Sequence, residues 1–224
     1  MRIEIWSDVV CPWCFVGKRR LESALAEFPQ RDEVEIVYRS FELDPSAPRT
    51  ADSPGGHDLS TSVIAKKYGR SEAEMRQMQQ QLVDLAAVEG LDLKLFDTVH
   101  TNTVDAHRLL HLALESGGPA VQRDLKEALL SAYFLDARDV GDHEVLVAAA
   151  VSVGLDEARV REVLAGDEYA DAVAADVAQA RAYGATGVPF FVLDQKYAVS
   201  GAQPREVFAE ALRQAHAGQA LFEA

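Results

Sequence analysis

Arg2-Ile3-Glu4-Ile5-Trp6-Ser7-Asp8-Val9-Val10-Cys11-Pro12-Trp13-Cys14 is the stretch on which the reading of this chain turns. Arg2 to Trp6 alternates polar and apolar residues, the period-2 pattern of a strand with one buried face. From Pro12 the period changes. Trp13, Val16, Leu21, Leu25 and Phe28 recur at roughly three- and four-residue spacings until Pro29 stops them. A strand therefore passes through a short loop into a helix, with two cysteines at the junction. Proline suits the first helical position, which puts Cys11 at the N-cap, where unpaired backbone N–H groups and the positive end of the macrodipole favour an anion. This predicts an accessible Cys11 thiolate of lowered pKa, the species that attacks a disulfide. Cys14 lies one turn further on, placed to attack the mixed disulfide that results. Pro12 and Trp13 tune the thiolate and so the reduction potential.

Cys11 and Cys14 are the only cysteines among 224 residues. Three positions apart, they close too small a loop to staple a fold, and a chain of this length reaches a sufficient core without staples. A structural disulfide framework is excluded, which leaves redox chemistry or metal binding. With 22 basic and 36 acidic residues the formal charge is −14. Such a field repels phosphate backbones and anionic lipid, so neither nucleic acid nor a membrane surface is expected as a partner. Met1 to Ser7 lacks an apolar signal-peptide core, and no apolar run is long enough to span a bilayer. The expected setting is cytoplasmic.

Further along, Val34-Glu35-Ile36-Val37-Tyr38 reads as a second strand and completes a βαβ unit of the kind that favours a parallel pair. Residues 45–58, with three prolines and two glycines, read as a linker. From 59 to 184 the chain reads as helical throughout. One segment, Ser71 to Glu89, opens on a Ser71/Glu74 capping box and places Met75, Met78, Leu82, Leu85 and Ala86 on one core stripe. Separate helices are expected over 105–115 and 120–134, among others. Strands return at Phe190–Leu193 and Tyr197–Val199, flanking a short hairpin turn. A last helix from about Pro204 carries Val207, Phe208, Ala211, Leu212 and Ala215 inward before Gly218. The expected organisation is one discontinuous domain, 1–44 and 185–224, split by a helical subdomain at 59–184.

Several residues carry two readings each. Gly187-Val188-Pro189 precedes a strand in a context compatible with a cis peptide bond, or with a plain strand-initiating turn. Asp8, three residues before Cys11, either exchanges a proton with Cys14 and influences the thiolate, or caps a turn. His107, with Arg108, either lines a cleft between subdomains or serves as a buried structural histidine. His107 and His111, four apart on one helix, also complete a Cys2His2 zinc set on paper, although the strand-helix setting of the cysteines favours a redox thiol.

The Cys-x-x-Cys that ends the first strand, the helical insertion after βαβ, and the Gly-Val-Pro before ββα together resemble the DsbA family of the thioredoxin superfamily. Five ordered motifs resemble its FrnE-like branch more closely: Ser7–Cys14, Tyr38–Leu43, Asn102–Arg108, Gly187–Phe191 and Val199–Gln203. That branch comprises cytoplasmic proteins often labelled polyketide-biosynthesis dithiol-disulfide isomerases. The resemblance spans about Arg2 to Leu212. It implies an α/β thioredoxin-like fold, βαβ–ββα, with a large all-helical insertion. It makes Cys11 the nucleophile, Cys14 the resolving thiol and Pro189 the cis-proline packed against the disulfide. The Val188 backbone becomes the edge that pairs with a bound peptide or glutathione.

The implied activity is that of a protein dithiol-disulfide oxidoreductase or isomerase, acting on a disulfide- or thiol-containing protein or small molecule. No cofactor or metal is required, glutathione enters as a redox partner, and homodimers are common among the relatives. The adjoining kappa-class glutathione transferases and 2-hydroxychromene-2-carboxylate isomerases typically carry serine where this chain has Cys11. They imply an alternative, a glutathione-dependent transferase or isomerase of a small aromatic or polyketide-like substrate. Ser200 and Asn102 sit in motifs that lie near the glutathione site in those relatives, and join Val188 and His107 as candidate substrate-binding residues. A non-enzymatic zinc-binding module is the remaining alternative.

Overall fold

Strand β1 (Arg2–Ser7) pairs in parallel with β2 (Glu35–Ser40), Ile3 opposite Ile36 and Ser7 opposite Ser40, across helix α1 (Pro12–Ala26). This is the βαβ unit that the change of period predicts. The computed structural model describes residues 1–49 and 53–220; residues 50–52 of the expected linker and 221–224 of the expected discontinuous domain lie outside the described residues. On the other edge of β1, β3 (Phe190–Leu193) runs antiparallel with Trp6 opposite Phe190, and β4 (Tyr197–Ser200) completes the hairpin. The strand order is β2-β1-β3-β4.

As a central strand, β1 is buried on both faces. Ile3 and Ile5 pack with Leu21 of α1, with Phe28 just beyond its end, with Phe191, and with Phe208 and Leu212 of α8 (Arg205–Ala220). Trp6 points to the opposite face, among Phe190, Val192 and Ala180. The observed architecture is the α/β fold with a helical insertion expected from the sequence.

The insertion holds α2 (Ser60–Lys67), α3 (Glu72–Val88), α4 (Val104–Phe134), α5 (His143–Ser152), α6 (Glu157–Ala165) and α7 (Ala170–Ala182). The helices differ from the sequence expectation at several points. Residues 91–103 are not helical: Leu91, Leu93 and Leu95 are buried in a loop that leads to a bridge between Leu59 and Val99. The physical reason is legible afterwards, since Leu91-Asp92-Leu93-Lys94-Leu95 alternates with period 2. The two helices expected on either side of Gly117 and Gly118 are present as the two arms of α4, separated where Gly118 (φ 73°, ψ −173°) leaves helical geometry just before Pro119. Met78 is 49% exposed and Val207 41% exposed, against the expectation that both are core. Helix α3 lies at the periphery, where only Met75 and Ala86 are buried, and Val207 falls one position off the Phe208-Leu212-Ala215 stripe. Helix α8 also runs on through Gly218 to Ala220.

Two attachments fix the insertion to the sheet. Gln122 of α4 accepts from the Tyr38 N–H at 2.8 Å and donates to the Tyr38 carbonyl at 2.9 Å, pairing backbone groups that edge strand β2 otherwise leaves open. Asp176 of α7 accepts from the Ser40 N–H at 2.9 Å, and its carbonyl accepts from Trp6 Nε1 at 2.8 Å. Its carboxylate also lies 3.1 Å from His111 Nε2 and 3.4 Å from Arg39, which in turn pairs with the buried Glu4. Val9, Phe15 and Val16, which flank the cysteines, belong to the same apolar cluster as Leu109, Leu125 and Leu129 of α4. The cysteine segment is thus packed directly on the insertion.

Candidate active site

Cys11 is the N-cap of α1, with extended backbone (φ −99°, ψ 108°) and Pro12 as the first helical residue. The Cys14 N–H donates to the Cys11 carbonyl at 3.0 Å, closing the first turn with both sulfurs on one side. The Val188–Pro189 peptide is cis, and the Cys11 thiol donates to the Val188 carbonyl at 3.6 Å. Trp13 stands 42% exposed at the rim, while Pro12 is half-buried. Sequence positions nearly 180 apart are therefore brought together.

The expected accessible Cys11 thiolate needs correction. Cys11 is only 3% exposed, under the Val188 carbonyl. The two thiols hydrogen-bond to one another and titrate as a pair. The second ionisation, carried by Cys11, is pushed well above the usual thiol range by the hydrogen bond to Cys14, by burial and by the neighbouring charge. The first is carried by Cys14 and lies below that range. Burial opposes it, but the hydrogen bond from Cys11, the Lys126 charge and the Ser7 side chain outweigh burial. The first proton thus leaves the pair from Cys14 more readily than from an ordinary thiol, and moving the remaining proton from Cys11 to Cys14 would leave Cys11 as the thiolate.

Asp8 is fully buried behind this pair. Its Oδ1 accepts from the Val9 N–H at 2.7 Å and meets His107 Nε2 at 3.2 Å, and its Oδ2 accepts from the Leu43 N–H at 2.8 Å. Burial works to raise its pKa, but His107, the Leu43 amide and the Lys126 charge lower it below the usual carboxylate value. Asp8 therefore ties together the loop before Cys11, the loop after β2 and helix α4.

His107 is fully buried, so its side chain reaches Asp8 and not a cleft. Asn102 is also buried: its Nδ2 donates to the Pro45 carbonyl at 3.1 Å and its Oδ1 accepts from the Val104 N–H at 3.0 Å. It fastens the loop after β2 to the start of α4. Ser200 is exposed at the end of β4, opposite Phe190, one strand away from the Val188–Pro189 edge. Of the four candidate substrate-binding residues, only Val188 touches a cysteine. Arg108 is buried too, donating to the Glu168 carbonyl at 2.7 Å and the Gly166 carbonyl at 2.8 Å near the end of α6. The zinc set is not assembled, since His107 and His111 are engaged by Asp8 and Asp176. Among the described residues no cluster of three or more His, Cys, Asp or Glu side chains is arranged to hold a metal.

Lys126 was not singled out from the sequence. It is 0% exposed, on α4, and its Nζ donates to the Ser7 carbonyl at 3.3 Å. Its sequence signal is positional: Gln122, Lys126, Leu129 and Tyr133 fall at the spacings of one helix face, so the lysine stands on the buried stripe.

The model of the DSBA-like thioredoxin domain matches residues 2–213. The chain belongs to that family. A crystal structure of a probable DsbA oxidoreductase from Streptomyces coelicolor is 50% identical, with a TM-score of 0.88 over 97% of this chain and 90% of that one. A 2-hydroxychromene-2-carboxylate isomerase superposes with a TM-score of 0.68 at 14% identity, over 100% of both chains. The cytosolic disulfide reductase DsbM from Pseudomonas aeruginosa, solved with GSH, superposes with a TM-score of 0.62 at 15% identity, over 96% of this chain and 98% of that one. At those identities the last two likenesses speak for the DSBA-like fold alone.

Proposed function

We propose that this DSBA-like protein is a thiol-disulfide oxidoreductase or isomerase in which Cys11 attacks and Cys14 resolves. The observation that carries the reading is the placement of the Cys11 sulfur, at the N-cap of α1 and against the Val188 carbonyl that precedes Pro189. In the reducing direction, the Cys11 thiolate attacks one sulfur of a substrate disulfide. The substrate S–S bond breaks, a Cys11–substrate disulfide forms, and the other substrate sulfur leaves as a thiolate. The Cys14 thiolate then attacks Cys11 Sγ and expels the second substrate sulfur, so the substrate gains two electrons and the protein becomes the Cys11–Cys14 disulfide. The reverse sequence oxidises a dithiol. The Val188 edge offers backbone groups for strand-like pairing with an extended substrate, beside the exposed Trp13 ring.

The substrate class is a disulfide- or thiol-bearing protein or small molecule, with glutathione as a redox partner. A cytosolic setting is part of the same proposal and rests on the FrnE-like resemblance of the sequence motifs. The alternative of a glutathione-dependent transferase has weaker support, because Cys11 is retained and the Asn102 side chain is committed to Pro45 and Val104. Insulin reduction by wild type, Cys11→Ser and Cys14→Ser proteins tests the reading. Cys11→Ser is expected to fall to background, and Cys14→Ser to accumulate a substrate-linked species on non-reducing mass spectrometry. Full activity in Cys11→Ser overturns it.

A further inference from the structure

Two buried polar groups beneath Cys14 have no part in the exchange described above. The Lys126 ammonium has three donors, yet among the described residues its one hydrogen bond goes to the Ser7 carbonyl, and its Nζ stands 5.7 Å from the centre of the Tyr38 ring. Among the described residues no carboxylate forms an ion pair with it. The contrast with Lys18 is direct, since that buried lysine is neutralised by Glu22 at 2.5 Å and Glu127 at 2.6 Å. Ser7 Oγ, in turn, is buried with no nitrogen or oxygen partner among the described residues, and the group left for it to donate to is the Cys14 sulfur. A buried cation and a buried hydroxyl, both short of acceptors, meet at Ser7, and both favour charge on the Cys14 sulfur. Burial of such groups is costly unless a charge meets them.

We propose that Lys126 and Ser7 are positioning residues for the resolving step, holding the Cys14 sulfur as a thiolate beneath Cys11, so that the helical insertion supplies a working charge to the dithiol. This rests on the dithiol reading above and assigns to it a residue outside the thioredoxin-like segments. The charged and titratable groups facing the pair are Cys11 at the N-cap of α1, Lys18 from α1, Asp8 from the loop after β1, His107 from α4 and Tyr38 from β2. Asp8 is already engaged by His107 and two amides, and Lys18 by two glutamates, so neither is available to Cys14. Burial pushes the Lys126 pKa down to about 8, opposed by charge on Cys14, Asp8 and Cys11. Lys126 therefore holds its proton less firmly than an exposed lysine, and its amine form becomes populated toward pH 8. With Lys126 as the amine, the Cys14 proton moves to Nζ. The Cys14 thiolate then forms the Cys11–Cys14 bond, the Cys11–substrate bond breaks, and the electron pair leaves on the substrate sulfur.

The chromogenic disulfide dithiobisnitrobenzoate separates the two steps, because attack by Cys11 releases one coloured thiolate and resolution by Cys14 releases the second. Stopped-flow traces across pH are compared for the wild type, Lys126→Met and Ser7→Ala. The expected result is a second phase slowed about tenfold or more in Lys126→Met at neutral pH, with its midpoint raised by at least about one pH unit and the first phase much less affected. Ser7→Ala shifts the same midpoint upward by a smaller amount. It decides the matter alone if Lys126→Met fails to fold. A second phase with an unmoved midpoint in the folded variants, or equal slowing of both phases, overturns the proposal. A wild type with no first phase, or a first phase that survives Cys11→Ser, instead overturns the underlying dithiol reading.

Discussion

Asp8 and Lys126 lie on opposite sides of one electrostatic balance, and their removal has opposite consequences for stability. Asp8→Ala strands the Val9 and Leu43 amides and the His107 ring in the interior, a loss of about 3–5 kcal/mol by denaturant titration. The native Asp8 pKa lies below 3.8, so its contribution is complete above the unfolded value and is lost as pH falls through the lower native one. Asp8→Asn should therefore be less stable than wild type at pH 7 and converge on it in acid, which parallel unfolding curves will show. Lys126 has the other sign. Its native pKa of about 8 lies below the ordinary 10.5, so at neutral pH its burial opposes folding, and stability rises as pH climbs between those values. Lys126→Met should accordingly raise stability at pH 7 by roughly 1–4 kcal/mol, even as it slows resolution. The gain should be larger in the disulfide form, where no thiolate is left to offset burial of the ammonium; melting temperatures of the two redox forms measure this. The sequence shows Asp8 as a short-range partner of Cys11 and Lys126 only as a charge within a helix. The difference is that Lys126 acquires its meaning from packing across more than 110 positions, and local spacing reports only the face it stands on.

At the scale of elements, two glycines set how α1 and α4 meet the site. A Cβ at Gly17 of α1 would lie 3.0 Å from the Pro189 ring and 3.3 Å from Phe191. Gly17→Val therefore pushes the Val188–Pro189 turn away from Cys11, with an expected loss of about 1–3 kcal/mol and a clear fall in insulin reduction. Unchanged turnover would show that the turn yields without disturbing the thiol. Gly118 has open space around its Cβ position, but its backbone, at φ 73° and ψ −173°, is in a region essentially reserved for glycine. Gly118→Ala should cost about 1–3 kcal/mol through the backbone alone. Because the kink separates His107 from Gln122 and Lys126 on α4, the same variant should also slow Cys14 resolution. Periodicity identified both strands of the βαβ unit, α1 and the hairpin, where one face is buried and the repeat is regular. It missed the alternating Leu91–Leu95 loop, which was read within a long helical stretch. It also merged exposed and buried faces on α3 and α8, where packing is one-sided and narrower than the apolar stripe.

Across the whole molecule, the cysteine motif was legible because strand, loop and helix are local. The site around it was not, because Val188, Asp8, His107 and Lys126 converge through a core that joins α1 to α4. That convergence also explains why Asn102 and His107, adjacent to recognisable motifs, turn out to fasten loops and not to line an open surface. One global property remains outside these contacts, the formal charge of −14. The field of so acidic a surface opposes the approach of anionic reactants and is screened over roughly 10 Å at about 0.1 M salt. Glutathione disulfide is anionic at neutral pH, whereas hydroxyethyl disulfide is neutral. Oxidation of the reduced protein by glutathione disulfide should therefore accelerate with added salt, by at least about twofold between low and physiological ionic strength, while the rate with hydroxyethyl disulfide stays flat. The ratio of the two rates removes any general effect of salt on the thiols themselves. A flat ratio would mean that local cations around the Cys11 mouth cancel the molecule's overall field, and that glutathione meets no electrostatic barrier at this site.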